Sequence, residues 1–231
     1  MESLALDIAG WAAILHFGAK SDAGSETTER LGAAGDASAV PTRLRRRLPA
    51  FAREMACCAL PLMNTSPHCD VIHTSSDGDL ASTVALLSDT ARKEILSPTQ
   101  FSHSVHNAPA GVLSLCLEQP GDHTAIAAGA ESLQAGLTEA YARLATSDAA
   151  QIFVAHGDER LPTTYGALDD DAPGVFITLL LQRAAAPRDG AVVVEPGRSG
   201  AAALARALQM AASGSDLQIL FSPSCVQARA A

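Results

Sequence analysis

The most apolar run in the chain, residues 174–181 (GVFITLLL), is only strand-length, and the shorter runs at 151–155, 191–195 and 217–221 match it. Helical spacing fills much of what separates such runs. Short apolar strands alternating with amphipathic helices define an α/β domain whose sheet is covered on both faces. No run approaches the ~18–20 residues that cross a bilayer, so no membrane span is expected. The chain has 231 residues and is 48% hydrophobic, enough for one substantial core. Charged residues supply only 18%, below the roughly 25% usual for soluble domains, so part of the surface is expected to lie inside a dimer. The net charge of −9, with no basic run longer than Arg45-Arg46-Arg47, leaves nothing to follow a phosphate backbone, and nucleic acid is excluded as a partner. Glu2 and Asp7 stand where a leader peptide needs basic residues, so a cytoplasmic location is expected. Five cysteines, two of them adjacent, read as reduced thiols and not as a disulfide framework.

Residues 4–15 read as a strand pair or one bent strand, and 18–42 as an irregular surface loop. From 43 to 63 one amphipathic helix is expected, closed by Pro61, with a strand at 69–74 after it. Asp79 sits where an N-cap belongs, ahead of a stripe of Leu80, Val84, Leu87 and Ala91. A long loop around Ser97 and Pro98 follows, then a helix at 107–117 with apolar cover nearly all round, which implies a central helix. Residues 121–128 read as a buried strand. A helix at 131–144 carries Leu133, Leu137, Ala140, Tyr141 and Leu144 on one face, and another is expected over 200–212.

Four segments invite chemical readings. In SPTQFSHSVHNAPAG (97–111), His103 and His106 are three apart, but no carboxylate or cysteine at ligand spacing joins them. Ser104 with His106 can be read as a nucleophile and base, although the strained G-x-S-x-G elbow is absent. His68, Cys69 and His73 invite a metal that lacks further ligands. EPGRSG (195–200) between a strand and a helix can cradle a phosphate or be an ordinary turn. Asp169, Asp170 and Asp171 read as a solvated loop. No metal and no cofactor are expected.

Thr74-Ser75-Ser76 at a strand end, Ser97-Pro98, Ser104, His106, Asn107-x-x-Ala110-Gly111, Gly121 and then AAGAESLQAGLTEA (127–140) together carry a resemblance. The chain resembles the N-terminal half of β-ketoacyl synthases, condensing enzymes of the thiolase fold. Within them it is similar to the short, chain-length-factor-like proteins of aryl polyene and xanthomonadin-type pigment biosynthesis. The resemblance is strongest over 70–157. It implies one truncated thiolase-like domain over 1–231, with a mixed sheet covered by helices on both faces.

A ketosynthase places its nucleophilic cysteine where a buried strand meets a helix N-terminus, whose dipole favours the thiolate. Matched without gaps, that position is Ala130, flanked by Gly129 and Glu131, and Cys116 and Cys225 fall elsewhere. The paired histidines of the family's C-terminal half are missing too, since no histidine follows His156. The resemblance therefore implies an inert subunit that pairs with an active ketosynthase and an acyl carrier protein. By the same resemblance Thr99, Gln100, Phe101, Val112 and Leu115 line or cap the partner's acyl tunnel, where side-chain bulk limits chain growth. A stand-alone acyltransferase or hydrolase, and a homodimeric carrier-protein scaffold, are the alternatives.

Overall fold

The computed structural model describes residues 3–17, 27–66, 68–117, 122–161, 165, 173–197, 199–211 and 217–223. Its centre is an eight-stranded mixed sheet in the order β4-β3-β5-β6-β1-β8-β7, with β2 paired to β1 off that path. The strands are β1 (Leu4–Phe17), β2 (Thr27–Gly32), β3 (Asp70–Thr74), β4 (His123–Ile126), β5 (Gln151–Asp158), β6 (Gly174–Arg183), β7 (Val192–Val193) and β8 (Gln218–Phe221). β3 runs parallel to both β4 and β5, β6 is antiparallel to β5 and β1, and β8 is antiparallel to β1. One edge of β1 is divided: Leu4 to Asp7 pair with β8, and Ala12 to Phe17 pair with β2.

Helices α2 (Ala50–Met63) and α5 (Ala108–Leu117) cover one face, packing Phe51, Met55, Val112 and Leu113 on Phe153, Ala155 and Phe176. On the other face α6 (Ser132–Thr146) and α7 (Gly200–Ala211) pack Leu133, Leu137, Leu204 and Leu208 on Ile72, Val154 and Ile177. Alternation along the strands divides side chains between the two cores. The expected α/β sandwich with both sheet faces covered is therefore present. Residues 4–15 belong to one strand whose register shifts between Ile8 and Gly10.

Several local expectations need correction. Within 18–42, residues 18–26 lie outside the described residues, but TTERLG forms β2 and Ala37–Ala39 a 3-10 turn. A short polar edge strand has no apolar run to announce it; backbone pairing to β1 makes it. The helix expected over 43–63 is two helices, α1 (Thr42–Arg45) and α2, because Pro49 cannot donate a backbone N–H and disfavours helical geometry at Leu48. Pro61 does not end α2 but lies inside it. Its missing N–H would leave the Cys57 carbonyl unpaired, and Gly35 N fills that place at 3.0 Å.

Helix α3 (Leu80–Arg92) is capped by Asp79 as expected, with Ser82 N donating to Oδ1 at 2.9 Å. It buries Leu86, whereas Leu87 is 58% exposed, so the expected stripe is displaced. Ser97 caps a short helix, α4 (Pro98–Ser104), where a loop was expected. α5 is not central: Pro109, Ala110, Val112 and Leu113 are buried, but Leu115 is 65% exposed. β4 is a half-buried edge strand and not a buried one, because only β3 flanks it among the described strands.

Candidate functional site

The parallel strands β3, β4 and β5 end together, and most of the buried polar residues, Thr74, Ser75, Asp79, Ser132, His156 and Asp158 among them, lie at or near those ends. Ser75, the first residue past β3, is saturated. Its N–H donates to Ile126 O at 3.4 Å, its carbonyl accepts from Ser132 Oγ at 3.0 Å, and its hydroxyl donates to Asp158 Oδ1 at 2.8 Å while accepting from Gly78 N at 2.7 Å. Asp158 also accepts from Ser76 N and Ser76 Oγ, each at 2.7 Å, and lies 3.3 Å from His156 Nε2. His156 Nδ1 shares a 3.0 Å hydrogen bond with Thr74 Oγ1 across the β3–β5 register.

Burial pushes the Asp158 carboxyl up, but the His156 ring and the hydrogen bonds from His156, Ser76 and Ser75 outweigh it and hold the group well below the usual carboxylate range. Thr74 is fully buried and His156 nearly so, so this Thr–His–Asp chain presents no accessible nucleophile. It braces the turn at 75–79 that leads into α3. Asp158, which joins the Thr74-Ser75-Ser76 strand end to His156, escaped the reading of the sequence. The signal was His156-x-Asp158, an i, i+2 pair that a strand places on one face.

On the α2 face, two imidazoles lie with ring centroids 5.6 Å apart. His73 Nδ1 donates to Ala155 O at 3.1 Å, and its buried Nε2 has no hydrogen-bond partner. Burial, reinforced by the adjacent His106, lowers the His73 pKa to about 3, so the ring is neutral. His106 Nε2 donates to Ile126 O at 3.0 Å. A carbonyl cannot donate, so this nitrogen carries the proton.

The turn after Ile126 is the one matched to the family's nucleophile. Residues 127–130 are exposed, Gly129 has φ +55°, and Ala128 N donates to Ser132 Oγ at 2.9 Å. α6 starts at Ser132 with Glu131 as its N-cap. Ala130 thus stands just ahead of a helix N-terminus and offers only a methyl group.

Outside this turn, a groove of about 500 Å³ opens between the α1–α2 connection, α4 and α5. Thr99 and His103 line it from α4, Val112 and Leu115 from α5, and Leu44, Arg47 and Leu48 from the opposite wall. Three of the five tunnel candidates therefore share one apolar groove. Gln100 and Phe101 are not in its lining, and the Phe101 ring is 60% exposed. Asn107 and Gly111 flank the start of α5, and Gly111 N bonds Asn107 O at 3.2 Å.

The remaining candidates separate. Ser104 Oγ donates to Phe101 O at 2.9 Å while His106 faces Ile126, so they do not form a nucleophile–base pair. His103 faces the groove, away from His106's bond, and among the described residues no three His, Cys, Asp or Glu side chains form a metal set. At 195–200, Arg198 lies outside the described residues, and Gly200 N is spent on Gly197 O at 3.0 Å. A Cβ at Gly200 would meet Glu195 O at 2.1 Å, which makes this a tight strand-to-helix turn. Residues 169–171 and Cys225 lie outside the described residues. The thiols of Cys57, Cys69 and Cys116 are pushed up by burial, and that of Cys58 to about 12, so none of the four is an activated nucleophile. Among the described residues, no helix is long and apolar enough to cross a membrane.

A mixed sheet covered on both faces, with a tight turn feeding a helix N-terminus at the parallel strand ends, defines a thiolase-like protein of the ketosynthase kind. The family model for the beta-ketoacyl synthase, N-terminal domain matches residues 19–218, and the chain belongs to that family. No curated protein matches the sequence. Among solved structures, the chain is similar to one in the complex of the ketosynthase ApeO with its chain length factor ApeC from Xenorhabdus doucetiae. That match has 25% identity and a TM-score of 0.66, covering 78% of this chain and 80% of that one. It shares its fold with the ishigamide ketosynthase/chain length factor (15% identity, TM-score 0.60, 80% of this chain and 64% of that one). It also shares the fold of a beta-ketoacyl synthase from Burkholderia phymatum STM815 (11% identity, TM-score 0.56, 79% of this chain and 60% of that one). It spans less than two thirds of each of these last two chains.

Proposed function

We propose that this chain is a catalytically inert chain-length factor, pairing with an active ketosynthase that extends acyl chains on an acyl carrier protein in an aryl polyene or related type II pathway. The observation that carries the reading is the convergence of Thr99, Val112 and Leu115 on one apolar groove. That groove lies on the same helices that lead, through His106, to a turn where Ala130 replaces a nucleophile. The match to a chain of the ApeO–ApeC complex over most of both chains supports the pairing. Exposed apolar side chains from α3 to α5, among them Ile95 at 99% between α3 and α4 and Phe101 at 60% on α4, supply a face for the ketosynthase. Among the described strands β4 is flanked by β3 alone, which adds a sheet edge.

The wall of a closed groove sets chain length by excluding methylenes, each worth tenfold or more in discrimination. Co-expression with the ketosynthase, followed by mass spectrometry of the released acyl chains, tests the reading. The isolated chain should condense nothing. Leu115→Ala, which opens the wall by about one two-carbon unit, should lengthen the product of the pair. Condensation by the isolated chain at a rate comparable with the pair would overturn the proposal, and so would a product unchanged in length by Leu115→Ala.

A further inference from the structure

We infer that His106 is a positioning residue that fixes the groove-bearing helices against the Ala130 turn and thereby sets how sharply product length is defined; the inference rests on the function proposed above. His106 lies between α4, which brings Thr99 to the groove, and α5, which brings Val112 and Leu115. Its Nε2–H is bound at 3.0 Å to the carbonyl of Ile126, the last residue of β4. That carbonyl also accepts from Ser75 N, and the 127–131 turn departs directly from it.

One imidazole therefore ties the groove wall to the strand end that carries the turn. The ring has little freedom to move. His73 lies against it at 5.6 Å and is itself bonded to Ala155 O. On the other side Gly78, at φ +68°, leaves room that a Cβ would take up 3.4 Å from His106 Nδ1. The strand end is held in turn by Ser75, whose polar atoms are all engaged, including the bond to Asp158.

Acyl length in such a site is the distance from the reacting thioester to the blocking wall. A single hydrogen bond shifts the balance between two wall positions by about fivefold to tenfold. Loss of the His106 bond should therefore blur the length distribution without touching the condensing chemistry, which the partner performs.

The test uses the full complex with its ketosynthase and acyl carrier protein. With His106→Leu the ratio of the principal product to its neighbour in length should fall about fivefold, while total acyl extension stays close to that of the parent complex. His106→Gln, whose amide reaches the Nε2 position, should restore the ratio. If His106→Leu yields no folded complex, His106→Asn, whose amide stops short of Ile126, takes its place with the same expectation. A lower melting temperature with an unchanged length distribution would show a purely structural role and overturn the inference. So would a ratio left blurred by His106→Gln. Leu115→Ala serves as the control: a shift with Leu115→Ala but none at His106 overturns this inference alone. No shift with either variant in an intact complex overturns the chain-length reading itself.

Discussion

The neutral imidazole of His73, buried with its Nε2 unpaired, predicts a specific acid sensitivity. In the folded chain its pKa is lowered to about 3 from an ordinary 6.5, first by burial and then by His106. Between those two values the unfolded chain binds a proton that the folded chain refuses, so stability falls as pH falls. The slope is about 1.4 kcal/mol per pH unit at full effect, so lowering the pH from 7 to 5 removes about 2 kcal/mol through this residue. Above pH 7 both states are neutral and the contribution vanishes. Glu159 acts in the opposite sense. Its carboxyl is raised to about 7 by burial and by the charges of Asp79 and Glu54, so the stability it adds is present below pH 4.5 and is lost as pH rises through 7. The two partly cancel in the parent protein, and only a difference isolates His73. Urea unfolding at pH 5, 6, 7 and 8 of the parent and of His73→Leu supplies that difference. The parent-minus-variant stability should be about 2 kcal/mol smaller at pH 5 than at pH 7. Parallel curves would refute the reasoning, because they would mean that the ring is protonated or hydrated in the fold. Glu159→Gln should steepen the acid loss of the parent.

Asp158→Asn should destabilise the fold by about 3 kcal/mol at pH 7, since it leaves the His156 ring facing an amide in a buried site. The sign for a depressed carboxylate is stability present above its unfolded pKa and lost below it, so this variant should also lack the parent's acid limb below about pH 4; denaturant midpoints over that range measure both. Gly136→Ala should cost about 1–3 kcal/mol, because its Cβ would lie 2.4 Å from Thr74 Cγ2. Adding Thr74→Ser, which removes that methyl and keeps the hydroxyl on His156, should recover most of the loss in a double-mutant cycle. Ala130→Cys should be alkylated by iodoacetamide before Cys57, Cys58, Cys69 and Cys116, as peptide mapping will show.

The elements that were plain in the sequence are those whose own side chains specify them. α6 carries a full apolar stripe, β5 and β6 are continuous apolar runs, and Asp79 is a side-chain cap that works within four residues. The elements that were not plain depend on partners far along the chain. β2 exists because β1 offers it an edge, and α2 survives Pro61 because Gly35 supplies the missing donor. The site divides in the same way. Ala130, Thr99, Val112 and Leu115 came from the order of motifs, and folding brings the last three together. The clamp of Thr74, Ser75, His156 and Asp158 was hidden because its members are some 80 residues apart and meet only through parallel pairing of β3 with β5. His106 was visible as one of two histidines in the polar stretch 97–111, but its partner is a backbone carbonyl, which no side-chain pattern can reveal.

The low charge of the chain gains a location from the structure. Six of the eight exposed large hydrophobic residues fall between Leu87 and Leu115, and only Val193 and Met210 lie elsewhere among the described residues. Scattered apolar residues would need no explanation, whereas six within one stretch of α3, α4, α5 and their connections fit the docking face proposed above. α5 explains why the cluster sits there: it is apolar all round but is buried on one side only, so its outer side was selected for something other than this chain's own core. The groove lies on that same outer side. On the function proposed above, the subunit has to bring an acyl-site wall and a docking face together, and α4 and α5 are the helices on which the groove and the exposed apolar side chains meet.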